Sequence, residues 1–193
     1  MKIPRDARPL VVAIAGPNGA GKSTFFHSHL EDLGLPFVNA DILAQRLHLE
    51  AYAAAEMAGA LRRHLVQQRQ SFVFETVFSD PVGDKVSFLK QAEESGFQVV
   101  LCFIGLASAD ISEARVSMRV LRGGHDVPTA KLKERHPRTL QNLKRAIETL
   151  PDVRVFDNDD LRHPYRLVAL AEKGRVVSLR EPAPSWLRIS SSR

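Results

Sequence analysis

The run Gly16-Pro17-Asn18-Gly19-Ala20-Gly21-Lys22-Ser23 constrains this chain more than any other stretch. An apolar segment, Leu10-Val11-Val12-Ala13-Ile14-Ala15, precedes it, and Thr24-Phe25-Phe26 follows. The pattern is G-x-x-x-x-G-K-[ST], a phosphate-binding P-loop in a strand–loop–helix setting. The residue types follow from the chemistry. Successive backbone N–H groups must curl around phosphates, and glycines permit that curl and the close approach. The N-terminus of the next helix adds unpaired donors and a positive dipole end. On this reading Gly16, Asn18, Gly19, Ala20, Gly21, Lys22, Ser23 and Thr24 bind a nucleoside triphosphate, ATP or GTP. Lys22 neutralises β- and γ-phosphate charge, Ser23 holds Mg²⁺, and Thr24 is an auxiliary donor.

The rest of the chain alternates in the way such a loop requires. Strands are expected at 10–15, 35–39, 71–74, 97–104 and 153–156. Helices are expected at 22–33 (ending at Gly34), 42–69, from Pro81 to before Gly96, and after Gly105, with Ser108 or Asp110 as the cap. This order predicts an α/β fold of the P-loop NTPase type, a three-layer sandwich with a mostly parallel five-stranded sheet and helices on both faces. A second helical piece starts near Pro128, breaks around Pro137, and resumes over 138–149. A short strand pair, 165–171 and 175–179, follows. One domain is expected over residues 1–180, with 181–193 as a peripheral tail.

Composition narrows the class. The chain has 193 residues, 44% hydrophobic and 25% charged, as in an ordinary globular protein. No stretch of about 18 apolar residues occurs, so no membrane span and no membrane partner are expected. The lone Cys102 sits in Val99-Val100-Leu101-Cys102-Phe103-Ile104 and reads as a buried strand residue, with neither a disulfide framework nor a zinc pattern. A cytoplasmic location is the default. The net charge is +5. Its arginines concentrate between 115 and 145, and aromatic RNA-binding signatures are absent. The excess therefore fits a phosphate site better than nucleic acid.

Ligands of an open α/β sheet lie beyond the carboxyl ends of its strands. Asp41, Glu75 and Asp157 stand at such ends. Phosphoryl transfer needs a group to orient and deprotonate an acceptor hydroxyl, and Asp41 is the first choice. The competing role is an N-cap before Ile42-Leu43. Glu75 either grips the acceptor or supports the metal; Asp157 ranks third. Arg115, Arg119 and Arg122 are spaced to share a helix face. Gly123-Gly124 then supplies a hinge, and Arg135 and Arg138 follow. Together they make an Arg-rich helical lid, at about residues 115–140, that can stabilise charge on a transferring phosphoryl group.

These residues also carry a family resemblance. The P-loop with Thr24, then Val38-Asn39-Ala40-Asp41, then Phe74-Glu75-Thr76, and last Arg119-Val120 with Gly123-Gly124-His125-Asp126-Val127-Pro128, resemble the zeta toxin family of P-loop kinases, in its small stand-alone bacterial form. The match covers about residues 10–160. Relatives in that family phosphorylate the sugar 3′-hydroxyl of UDP-N-acetylglucosamine with ATP or GTP. The resemblance implies that Lys22, Ser23 and Thr24 bind nucleotide and Mg²⁺, and that Asp41 is the base. It also implies that Glu75 and Thr76, with Asp41, bind the acceptor. Arg119 and Arg135 match the phosphate-contacting pair, with Arg122 and Arg138 as competitors for those places. A small-molecule acceptor is implied as substrate and an antitoxin protein in trans as partner. Toxin–antitoxin members of that family are larger, with an extended substrate region. The other reading is a nucleotide-switched binding module for a protein or RNA.

Overall fold

A computed structural model describes residue 3 and residues 6–121 and 127–189. Seven strands among them form one sheet in the order β2-β3-β1-β4-β5-β6-β7. They are β1 (Leu10–Ala15), β2 (Phe37–Val38), β3 (Phe72–Thr76), β4 (Gln98–Gly105), β5 (Asp152–Asp157), β6 (Arg166–Glu172) and β7 (Arg175–Leu179). The helices are α1 (Lys22–His29), α2 (Ala40–Leu47), α3 (Ala51–Gln67), α4 (Asp84–Glu94), α5 (Ala109–Val120) and α6 (Thr129–Thr149). The first five strands pair in parallel, as expected for a P-loop fold. The expected five-stranded sheet is too small by two, because the C-terminal pair does not stand apart. β6 joins β5 antiparallel and β7 extends it, so the sheet has seven strands.

The strand sequences read as continuous apolar runs because both faces are covered. Side chains alternate between faces, so each strand feeds two cores. Val11, Ala13 and Ala15 of β1 pack on one face with Phe72, Phe74, Leu101 and Phe103, under residues of α3, α4 and α6. Leu10, Val12 and Ile14 face the other way, with Val100, Cys102 and Ile104, against Phe25, Phe26 and Leu30. Cys102 is fully buried there, and burial pushes its thiol up to about 12, so it is an inert strand residue.

Three local expectations change. The helical stretch 42–69 is two helices, because His48 adopts a left-handed conformation (φ 52°) that closes α2. The first helix ends at His29, and Glu31–Leu33 is a 3₁₀ turn before Gly34. α6 runs unbroken through Pro137. Pro137 is exposed, as is Lys133 four residues earlier, so the carbonyl deprived of its N–H partner faces water. Buried Leu132, His136, Thr139 and Leu143 hold the helix on its inner side.

The segment at 181–189, expected to be peripheral, reaches the core. Trp186 and Leu187 belong to the core. The Trp186 indole lies against Gly105, where a Cβ would stand 2.1 Å from its Cη2 atom. Its Nε1 donates to Asp157 Oδ1 at 3.0 Å, and Arg166 donates to Asp157 Oδ2 at 3.1 Å. Asp157 is thus occupied in joining β5, β6 and the final segment, and does not serve the phosphate site. An apolar indole finds more burial over a glycine at a sheet end than in water, which is why the segment turns back.

Candidate functional site

Strand register assembles the site. β1 and β3 pair with Ile14 opposite Glu75 and Ala15 opposite Thr76, so Glu75 and Thr76 end level with the start of the P-loop. β2 pairs with β3 with Val38 opposite Phe74, which sets Asn39 beside Glu75. The P-loop itself turns at once after β1. Gly16 has φ 145°, and a Cβ there would stand 2.1 Å from the Ile104 carbonyl oxygen, so no other residue fits. The loop is tied down from outside. Ser112 donates to the Asn18 carbonyl at 2.6 Å, Asn158 to that of Ala20 at 2.9 Å, and Tyr165 to that of Gly21 at 2.9 Å. α1 then begins at Lys22.

Lys22 is buried, donates to the Pro17 carbonyl at 3.0 Å, and lies 3.7 Å from Glu75 Oε1. Burial lowers its pKa, and Glu75 and Asp41 pull it back up. Ser23 donates to Glu75 Oε2 at 2.7 Å, and Asn39 Nδ2 donates to the same oxygen at 2.9 Å. Glu75 is therefore the hub of the site, joining the P-loop lysine, the P-loop serine and the end of β2. Asn39 carries a second duty. Its Oδ1 accepts from the N–H groups of Asp41 (2.8 Å) and Ile42 (3.3 Å), so Asn39 is the N-cap of α2. The cap role that competed for Asp41 is filled. Asp41 sits in the first turn, exposed, and lines the cleft. We expect Asn39→Ala to lower stability by about 1–2 kcal/mol, through the lost cap and the bond to Glu75. Urea unfolding checks it.

A cleft of about 650 Å³ opens over this hub. Of the anticipated residues, Asn18, Gly19, Lys22, Asp41, Glu75, Thr76, Arg119, Arg135 and Arg138 line it. Ser23 is bound to it through Glu75; Gly16, Ala20, Gly21 and Thr24 are not among its lining residues. Arg138 is held by Glu134 at 2.8 Å. Arg122 and Gly123-Gly124-His125-Asp126 lie outside the described residues. Arg115 departs from the expected arginine group, since its guanidinium donates to the carbonyls of Asn158 (2.7 Å) and Asp159 (3.0 Å) and braces the loop after β5. Thr76 Oγ1 accepts from Phe78 N–H at 3.3 Å, starting a turn in which Phe78 has φ 66°. α6 grips that turn, with Asn142 donating to the carbonyls of Phe78 (3.0 Å) and Asp80 (2.8 Å).

Sequence reasoning missed four charged lining residues. Arg62 of α3 is buried beneath the cleft wall, Asp80 presents a buried Oδ2, and Lys85 and Lys131 add charge. Only the spacing of Asn39 before an acid and a helix signalled its cap role. Arg62 gave no local signal, because its partners come from β3 and α4.

Hard oxygen donors at Ser23 and Glu75 suit Mg²⁺, which is held by one or two protein groups with phosphate and water completing its shell. Among the described residues no helix is long and apolar enough to cross a membrane.

Comparison with known proteins agrees with this architecture. The chain is 30% identical over 126 residues to an uncharacterized protein of Haemophilus influenzae, covering 63% of this chain and 88% of that one. Its fold is similar to that of the AvrRxo1-ORF1:ORF2 complex solved with ATP, at a TM-score of 0.71 and 18% identity, over 96% of this chain and 66% of that one. The chain thus spans just under two thirds of that relative's length. It is also similar to the PezAT chromosomal toxin–antitoxin system of Streptococcus pneumoniae, with a TM-score of 0.58 and 14% identity over 86% and 72% of the two chains. A putative kinase of Chloroflexus aurantiacus gives a TM-score of 0.52 and 20% identity over 68% and 80%. At these identities the structural likeness is one of fold. The family match is direct: residues 11–139, which hold the P-loop, Asp41, Glu75 and the arginines 119 to 138, match the AAA domain family AAA_33, and the chain belongs to it.

Proposed function

We propose that this protein is a nucleotide-dependent kinase that transfers the γ-phosphate of ATP or GTP to a hydroxyl of a small metabolite. The observation that carries the reading is the convergence of Lys22 and Ser23 on Glu75, one by an ion pair and the other by a hydrogen bond, with Asp41 on the same cleft. Lys22 and the loop amides hold the phosphates. Ser23, with Glu75, would hold Mg²⁺, which supplies charge neutralisation on the phosphates when bound. Asp41 takes the proton of the acceptor hydroxyl. The acceptor oxygen bonds to the γ-phosphorus, and the bond from that phosphorus to the β–γ bridging oxygen breaks, leaving a nucleoside diphosphate. Glu75 and Thr76 position the acceptor, and Arg119 and Arg135, with Arg138 and Arg122, meet the charge of the transferring group.

The finer reading is a zeta toxin-like kinase acting on UDP-N-acetylglucosamine. Its support is the ordered set of motifs and a fold shared with PezAT. A lid at about residues 115–140 and a protein partner in trans belong to the same proposal. The cleft itself favours chemistry on small molecules, because it is concave and borders the P-loop at Asn18, Gly19 and Lys22.

Lys22→Met tests the first step. It weakens nucleotide binding by at least about tenfold and removes phosphate transfer, through loss of a buried charge-assisted contact. Fluorescent nucleotide titration and ADP release measure both. A variant that binds and turns over like the parent would refute the assigned site.

A further inference from the structure

Arg62 is the buried cation of the cleft that phosphate transfer does not use. Only 8% of its surface is exposed. Its Nε is buried without a hydrogen-bond partner, and no carboxylate pairs with it among the described residues. A charge in that position is costly unless something compensates it. Burial pushes its pKa down to about 10, with the neighbouring Arg63 adding to the fall. It remains a cation at neutral pH. Aromatic rings partly compensate: the guanidinium lies 5.0 Å from the Phe74 centroid and 5.8 Å from that of Phe88. Stacking engages the guanidinium's face and leaves its edge donors for a planar anion.

The surroundings leave room for one. Arg62 lines the same cleft as Lys22, and on its helix Ala51, Ala55 and Ala58 contribute small side chains to that wall. Seven cationic and four acidic side chains line the cleft. The P-loop end accounts for Lys22, and Arg138 already has Glu134. Arg62 stands on a different helix and has no such neighbour.

Resting on the kinase reading, we propose that Arg62 forms an anion subsite, separate from the P-loop, that receives a carboxylate or phosphate group of the acceptor. The acceptor is then a hydroxylated metabolite that carries a negative charge at a distance from the hydroxyl that reacts.

The side chain of Arg62 can report on this directly. The full-length protein, loaded with Mg²⁺ and a non-hydrolysable ATP analogue, is titrated with inorganic phosphate and, separately, with acetate. The Arg62 Nε–H resonance is followed by ¹H–¹⁵N correlation and assigned by its loss in Arg62→Lys. The expected result is a saturable shift with at least one probe. Arg62→Met, which keeps the stem between the rings, weakens binding of that probe, read from calorimetry, by at least about tenfold, and Arg62→Lys by less. The analogue's own affinity is unchanged in both. A shift with phosphate alone assigns a phosphate group, and with acetate alone a carboxylate. A resonance that moves with neither probe, or probe binding unchanged in Arg62→Met, overturns the subsite. If Arg62→Met does not fold, the wild-type resonance and Arg62→Lys decide. An ATP analogue that fails to bind overturns the kinase reading, an outcome separate from the behaviour of the Arg62 signal.

Discussion

Asp41→Asn lowers phosphate transfer to an acceptor hydroxyl by about 10²–10⁴-fold, the span of a general base, and leaves nucleotide affinity within about twofold. The geometry separates the two effects. On the proposed reading nucleotide contacts belong to Lys22 and Ser23, which Glu75 and the Pro17 carbonyl hold in place. The Asp41 backbone is fixed by Asn39, and its carboxylate is not spent on capping α2. Asparagine keeps the shape and the capped N–H and removes only the basic oxygen. The variant therefore tests proton acceptance rather than folding. Steady-state kinetics should show the loss in kcat. A loss confined to KM would instead assign Asp41 to acceptor binding.

Trp186→Ala destabilises the protein by about 3–5 kcal/mol, the range for removing a buried large aromatic side chain. Three things are lost together. The indole leaves the core cluster, its place over Gly105 becomes a void, and Asp157 loses the Nε1–H donor while remaining buried. Urea unfolding with an unchanged m-value would report it. Gly105→Ala attacks the same contact from the other side, because its Cβ would stand 2.1 Å from the ring, and overpacking of this kind costs about 1–3 kcal/mol. Either variant unfolding like the parent would mean that the last segment contributes nothing to the fold.

That segment also marks where sequence reading ran out. A tail with Pro182, Pro184 and a serine-rich end has the composition of a loose terminus. Only the space above Gly105 makes Trp186 a core residue, and that space exists only once β4 and β5 are paired. The same reasoning covers Pro137, since a helix interior excludes proline only when its lost hydrogen bond and its ring meet protein rather than water. The parallel strands and the P-loop were legible because each is local: a continuous apolar run, then a glycine turn, then a helix start. The placement of Asp41 and Glu75 on the cleft was legible because strand ends face one side of any open α/β sheet. What joins them was not. Asn39 bridges α2 to Glu75 through pairing of β2 with β3, and Arg62 meets Phe74 and Phe88 only through the packing of α3. Arg115, spaced to share a face with Arg119, instead braces the loop after β5, a use that helical periodicity does not reveal.

Phosphate transfer is tested by following the phosphate itself. Purified protein is given γ-labelled ATP and Mg²⁺, with and without UDP-N-acetylglucosamine and a panel of anionic hydroxylated metabolites. ADP and labelled acceptor are quantified together. The expected result is that one acceptor stimulates ADP release, that label appears on it in one-to-one proportion, and that Asp41→Asn lowers both by about 10²–10⁴-fold. Tight nucleotide binding with no label on any acceptor, and a protein or RNA partner whose affinity changes between ATP and ADP, would refute a kinase and make this a nucleotide-switched binding module.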